Sequence, residues 1–140
     1  MTTLAKNEVR AYEEGDYNDL PVIAADIIYD GAAVGENGSG YFRPLVAGDN
    51  FAGFAQKKAD NSAAGAAAGD VNVRVRDKGK IKLSVTGVTA VTDEGSTVYA
   101  SDDDTFTLTA SGNSAIGKIV RWISGTTVIV AFEAASCRSI

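Results

Sequence analysis

The segment VNVRVRDKGKIKLSV, residues 71–85, alternates apolar and polar side chains along nearly its whole length. Val71, Val73 and Val75 alternate with Asn72, Arg74 and Arg76; beyond Gly79, Ile81, Leu83 and Val85 alternate with Lys80, Lys82 and Ser84. Successive side chains of a strand point to opposite faces, so this period of two demands a sheet with one buried and one solvated face. The pattern predicts a hairpin turning at Asp77-Lys78-Gly79, with a basic outer face. KIVRWISGTTVIVAFEA, residues 118–134, reads as a second hairpin turning at Ser124-Gly125. Its second strand is apolar on both faces, with Val128, Val130 and Phe132 set against Ile129 and Ala131. Such a strand must be covered on both sides, by its own core or by another subunit.

The remaining segments follow the same logic. GSTVYA and TFTLTA supply two more strands, VIAADIIYDGAAVG one or two, and YFRPLVAGDNFAGFA reads as strand, AGDN turn, strand. Residues 56–70, QKKADNSAAGAAAGD, are rich in alanine, but Gly65 and Gly69 each oppose a helix by about 1 kcal/mol. A short helix capped at Asn61 or Ser62 and a loop both remain open there. Residues 1–20 are polar and acidic, with no core pattern, and read as an extended arm. The expectation is an all-β fold, a small β-sandwich or barrel-like domain with an extended N-terminal arm and at most one short helix. Residues 1–20 form the acidic arm and residues 21–140 a single β domain. A chain of 140 residues buries roughly 68% of its extended-chain surface on folding, enough for a core without disulfides. Cys137 is the lone cysteine and can form neither an intrachain disulfide nor a cysteine-based zinc site.

Charge narrows the function. The net charge is −5 and the sequence pI is near 4.6, which argues against attraction of the whole chain to nucleic acid. Residues 1–36 carry eight acidic and two basic side chains, whereas residues 74–82 carry five basic and one acidic. Arg74, Arg76, Lys78, Lys80 and Lys82 therefore form either a solvated strand face that discourages edge pairing or a docking surface for an acidic partner. The acidic residues 8–19 of a neighbouring copy have the right charge to lie across it. No aromatic residues interleave with these cations, so single-stranded nucleic acid is a poor fit. No run approaches the ~20 apolar residues of a membrane-spanning helix, and the N-terminus lacks the apolar region of a secretory signal. The expectation is a soluble protein with no membrane partner.

Histidine is absent, which removes the commonest general base and the commonest transition-metal ligand. The Asp102-Asp103-Asp104 run between two strand patterns reads as a solvated turn. A calcium loop spaces its oxygen ligands at alternating positions, and paired catalytic acids face one another across a cleft. GENGSG, residues 35–40, lacks the Gly-Lys-Ser/Thr ending of a phosphate loop and reads as a flexible turn. Ser114 has only Lys118 nearby in sequence to act as a base, and reads as a turn entering a strand. No enzyme, metal site or cofactor is expected.

Residues 67–134 resemble the small head decoration, or capsid cement, proteins of tailed bacteriophages. The most specific pieces are GDVNVRVRDKGKIKL, VYASDDDTFTLTASGNSAIGKI and the closing GTTVIVAFEA. The resemblance implies a compact β domain that assembles as homotrimers on the outer surface of an expanded head. There it would sit at three-fold and quasi-three-fold sites, bind the major capsid protein and bridge capsomers. It implies a virion location, with the host cytoplasm during assembly. The arm would reach across the shell, with Leu4, Val9, Tyr12, Tyr17 and Leu20 as its apolar contacts. Trp122, Val128, Val130 and Phe132 would supply subunit contacts, although Trp122 is equally suited to the core. A capsid-displayed module binding host surface or glycan, and a tail or collar component, are the alternatives.

Overall fold

The structure, a computed structural model, describes residues 5, 6 and 15–137. Among these residues twelve strands follow in chain order: β1 (Tyr17–Pro21), β2 (Ile27–Ile28), β3 (Ala33–Glu36), β4 (Phe42–Pro44), β5 (Asn50–Ala55), β6 (Ala59–Asp60), β7 (Asn72–Arg76), β8 (Lys78–Thr86), β9 (Thr97–Ala100), β10 (Phe106–Thr107), β11 (Ser114–Ser124) and β12 (Thr127–Glu133). The only helical elements among the described residues are two single 3-10 turns, Val91–Asp93 and Ala135–Cys137. No helix there is long and apolar enough to cross a membrane. The all-β expectation holds, and both architectures it offered are present in part. One sheet has the order β1-β7-β5-β3-β4, while β10-β8-β12-β11-β9 closes into a barrel; β2 and β6 form a small separate ladder.

The first sheet almost closes as well. Just past β1, Val22 forms a parallel bridge with Phe42 of β4, and the Ile23 amide donates to the Phe42 carbonyl at 3.0 Å. A narrow seam thus joins its two edge strands.

Strand β5 explains how the two sheets hold together. NFAGFA does not alternate, because both of its faces are covered. Phe51 and Phe54 enter a core shared with the barrel residues Val98, Phe106, Ile116 and Phe132. Ala52 and Ala55 pack into a second cluster with Val22, Ile28, Val34, Val73 and Val75. Phe54 lies 4.9 Å from the ring of Phe132 and 5.4 Å from that of Phe51, both edge-on, the arrangement aromatic quadrupoles favour.

The structure corrects two expectations. Residues 71–85 are not a hairpin. β7 pairs with β1 and β5, whereas β8 pairs with β12 and β10, so the chain leaves one sheet for the other at Asp77. The Asp77 amide donates to the Asp16 carbonyl and its carbonyl accepts from Ala134, both at 2.7 Å. Both main-chain groups at this crossing are therefore satisfied. The arm is shorter at its inner end, because Tyr17–Leu20, placed in it by their polarity, pair residue for residue with Arg76–Val73. The GENGSG segment ends β3 and then turns, with the Glu36 carboxylate accepting from the Gly38 and Gly40 amides at 2.5 and 2.8 Å.

Residues 61–70 take the loop alternative, preceded by the short strand β6. Asn61 does not cap a helix. Its side chain is buried, and its amide nitrogen lies 3.3, 2.9 and 3.1 Å from the carbonyls of Val22, Ile23 and Ala67. Asn61→Leu keeps the branched shape but takes the amide donor from the Ile23 carbonyl, whereas the Val22 and Ala67 carbonyls keep the Gly69 and Asp70 amides. It is expected to cost about 1–3 kcal/mol, the desolvation penalty of one buried carbonyl that loses its donor. Urea denaturation measures this, and a loss under about 0.5 kcal/mol would show that solvent reaches the carbonyl.

Candidate functional site

The acidic run is a turn. Asp102 Oδ1 accepts from the Asp104 amide at 2.8 Å and Oδ2 from the Thr105 hydroxyl at 3.0 Å. The Asp104 amide, with help from Thr105, holds the Asp102 carboxyl below the ordinary aspartate range. The same turn reaches the first sheet, where the Asp103 carbonyl accepts from the Ala33 amide at 2.9 Å and Asp102 bridges Val46.

Asp103 behaves oppositely. Partial burial, and then the charges of Asp102 and Asp104, push its pKa up. A group whose folded pKa is raised contributes stability below its unfolded value, near 3.9, and loses that contribution as pH rises through the folded value. Asp103→Asn is therefore expected to be more stable than the parent at pH 7, with the gap closing below about pH 4. Thermal melts across that range check it; a variant less stable than the parent at pH 7 would mean the carboxylate has a favourable partner.

Ser114 is buried at the start of β11, where its hydroxyl accepts from the Gly48 amide at 3.1 Å. Lys118 is exposed further along the strand, past a bulge. The hydroxyl is thus a structural acceptor between two loops. Among the described residues, no three or more metal-ligating side chains converge.

The basic residues divide between the two sheets. Arg74 and Arg76 lie on β7, under the acidic strand of their own chain. The Tyr17 ring sits 5.3 and 5.0 Å from their guanidinium carbons, and its hydroxyl accepts from Arg76. Asp19 approaches Arg74, and Asp16 approaches Lys78, each at 3.9 Å. The acidic partner expected from another copy is, for residues 16–19, the same chain. Tyr17 and Leu20 therefore belong to the sheet, with Leu20 packed against the second core cluster. Leu4, Val9 and Tyr12 lie outside the described residues.

Lys78, Lys80 and Lys82 belong to the barrel, and the register supplies two companions. Lys82 lies across from Ile129, which lies across from Arg121; Lys80 lies across from Ala131, which lies across from Lys118. Two rows of cations thus flank β12 on the outside of the barrel. Lys80, Lys82, Lys118 and Arg121 are all exposed. None has an ion-pair partner among the described residues, unlike Arg43, held by both Asp49 oxygens at 2.8 and 3.0 Å. A shallow groove of about 600 Å³ lies at the Lys118 end of this face, lined by Thr97 of β9, Ile116, Lys118 and Val120 of β11, and Ala131 and Glu133 of β12.

No protein-family model matches the chain, and no curated protein matches it.

The subunit-contact expectation is overturned for three of its four residues. Val128 and Val130 are completely buried and Phe132 is nearly so, all inside this chain's own barrel. The strand is covered on that face by β5 and the barrel wall, so no second subunit is needed. Trp122 is half-buried against the same core, and its indole N–H donates to the Gly125 carbonyl at 3.0 Å. Among the described residues, the larger exposed apolar side chains are Tyr17, Tyr29, Val46, Val91, Val120 and Ile123.

Lys118 and Arg121 escaped the sequence reading for a physical reason. In a regular strand, residues three apart point to opposite faces. A bulge at Val120 shifts the parity, so that both side chains emerge outward.

Proposed function

We propose that this protein is a structural virion protein that binds the outer surface of an expanded phage head. As a trimer at three-fold and quasi-three-fold sites, it bridges capsomers and stabilises the shell. The resemblance of residues 67–134 supplies the family. The observation that carries the reading is the exposed cationic face of the barrel, which has no ion-pair partner among the described residues, on a chain of net charge −5. A rigid β scaffold presenting such a face suits a clamp that binds a repeated surface. Each contact can be weak, because assembly multiplies it.

The polar groups that first invite a catalytic reading are engaged structurally: Asp102 in its turn and Ser114 with Gly48. Trimer contacts, on this reading, draw on exposed residues such as Val46 and Val91 rather than on the filled barrel interior.

Co-sedimentation with expanded, undecorated heads of the phage that encodes the chain tests the reading. Saturable binding at a fixed ratio per three-fold site is expected, with light scattering giving a trimer mass. A folded chain that stays in the supernatant would move the assignment to a tail or collar part, or to a displayed binding module. Removing residues 2–14, which leaves Asp16 and all of β1 in place, is expected to preserve the fold and weaken head binding about tenfold or more if the arm is a second contact. Undiminished binding by that truncated chain would remove the arm from the proposal.

A further inference from the structure

We infer that the outer face of β8, β12 and β11 is a docking surface for an extended, acidic segment of a protein partner. The chemistry comes from the face itself. That the partner is the shell's capsid protein rests on the decoration reading above.

Lys80 and Lys82 on β8, and Lys118 and Arg121 on β11, stand on either side of the outward Ile129 and Ala131. Neighbouring strands are about 4.8 Å apart and alternate residues about 7 Å apart, so the rows are separated by about 10 Å and stepped by about 7 Å. An extended peptide laid along β12 projects successive side chains to left and right with a similar step. Carboxylates on both sides then meet both rows, and apolar side chains between them meet Ile129 and Ala131. Val120 and Ile123, both exposed, widen the apolar strip at the β11 side.

One end of the surface is marked by charge. Glu133 lies across from Lys78 in the register, and Lys78 already approaches Asp16. An acidic segment is repelled there and confined to the Lys80–Ala131–Lys118 and Lys82–Ile129–Arg121 rows.

Nucleic acid fits less well. The aromatic residues of these three strands, Trp122 and Phe132, pack against the core rather than beside the cations, leaving no platform for bases. An apolar floor offers nothing to a phosphate backbone, and the acidic remainder of the chain repels a long polyanion. A short acidic peptide avoids that repulsion. Exposed ion pairs are individually weak and screened by salt, so the surface must work through several at once.

The test titrates the isotope-labelled full chain with the capped peptide Glu-Val-Glu-Val-Glu, followed by amide NMR shifts. Expected are shifts at Lys80, Lys82, Lys118, Arg121, Ile129 and Ala131, with affinity falling about tenfold between about 20 and about 200 mM salt. The Gln-for-Glu peptide should leave the spectrum unchanged. Lys80→Glu/Lys118→Glu, exposed substitutions whose fold is checked by circular dichroism, should abolish the response. Shifts centred on another surface, or an equal response by the variant, would overturn the inference. Tighter binding of a single-stranded oligonucleotide to this face would reassign it to nucleic acid. A mass increase at low salt that the variant abolishes would reassign it to a second copy of the chain. Head binding separates the two proposals. Heads that retain the charge-reversed variant as well as the parent refute this face and leave decoration standing. A peptide response from a chain that ignores heads does the reverse.

Discussion

Phe54→Ala is expected to destabilise the protein by about 3–5 kcal/mol, the range for truncating a buried phenylalanine. The ring is almost fully buried and is the aromatic hinge between the two sheets. It belongs to β5 of the open sheet, yet it lies 4.9 Å from Phe132 and 5.9 Å from Phe106, both in the barrel. The cavity left behind would border Phe51, Phe106 and Phe132 at once, and stiff strand backbones on both sides limit collapse into it. Chemical denaturation followed by fluorescence and circular dichroism gives the magnitude. The second readout is cooperativity. The parent should unfold in one transition, because the shared core couples the sheets. A loss below about 1 kcal/mol would contradict the packing described for this ring.

Gly53→Ala is expected to cost about 3 kcal/mol or more, for two reasons that add. The residue has φ +122°, a backbone conformation that side-chain-bearing residues rarely adopt. A Cβ there would also stand 2.3 Å from the Arg76 carbonyl oxygen. Only main chain is available to move, so β5 and β7 would have to separate where they pair at Phe54–Arg76 and Ala55–Val75. Overpacking against side chains typically costs 1–3 kcal/mol, and a backbone obstacle yields less readily. Expression yield and melting temperature measure the effect. A variant that melts within about 2 °C of the parent would show that the strands part easily.

Much of this fold could be read from local pattern. The alternation of Val73 and Val75 with Arg74 and Arg76 correctly assigns a buried and a solvated face, and the Ser124-Gly125 hairpin forms as expected. The aspartate run is a turn because adjacent carboxylates are suited to bonding nearby amides. What could not be read was which strand lies beside which. Alternation reports the face of a residue, and it is silent on the partner strand. β7 and β8 look like a hairpin because they are adjacent in sequence, whereas they pair with residues as distant as Tyr17 from Arg76 and Glu133 from Lys78. Phe132 illustrates the same limit. Its apolar face was legible, but whether that face met a subunit or an interior depended on closure of the barrel. For the docking surface, the β8 lysines were visible as a charge cluster. Lys118 and Arg121 joined them only through a register that includes a bulge.

The seam between Val22 and Phe42 has a consequence for life at high packing density. The chain's only two prolines, Pro21 and Pro44, end the two edge strands of the open sheet. A proline has no amide proton to offer an incoming strand, while in the barrel the two-residue β10 covers only Val85 and Thr86 of β8 on the side away from β12. Copies brought close together therefore meet few unpaired edges on the open sheet, and the uncovered stretch of β8 carries Lys78, Lys80 and Lys82, charges that discourage strand addition. Growth by strand addition, the usual route from crowded β protein to insoluble fibre, has little to start from. Such a chain is left to recognise its neighbours by side-chain faces, which can be let go as well as held.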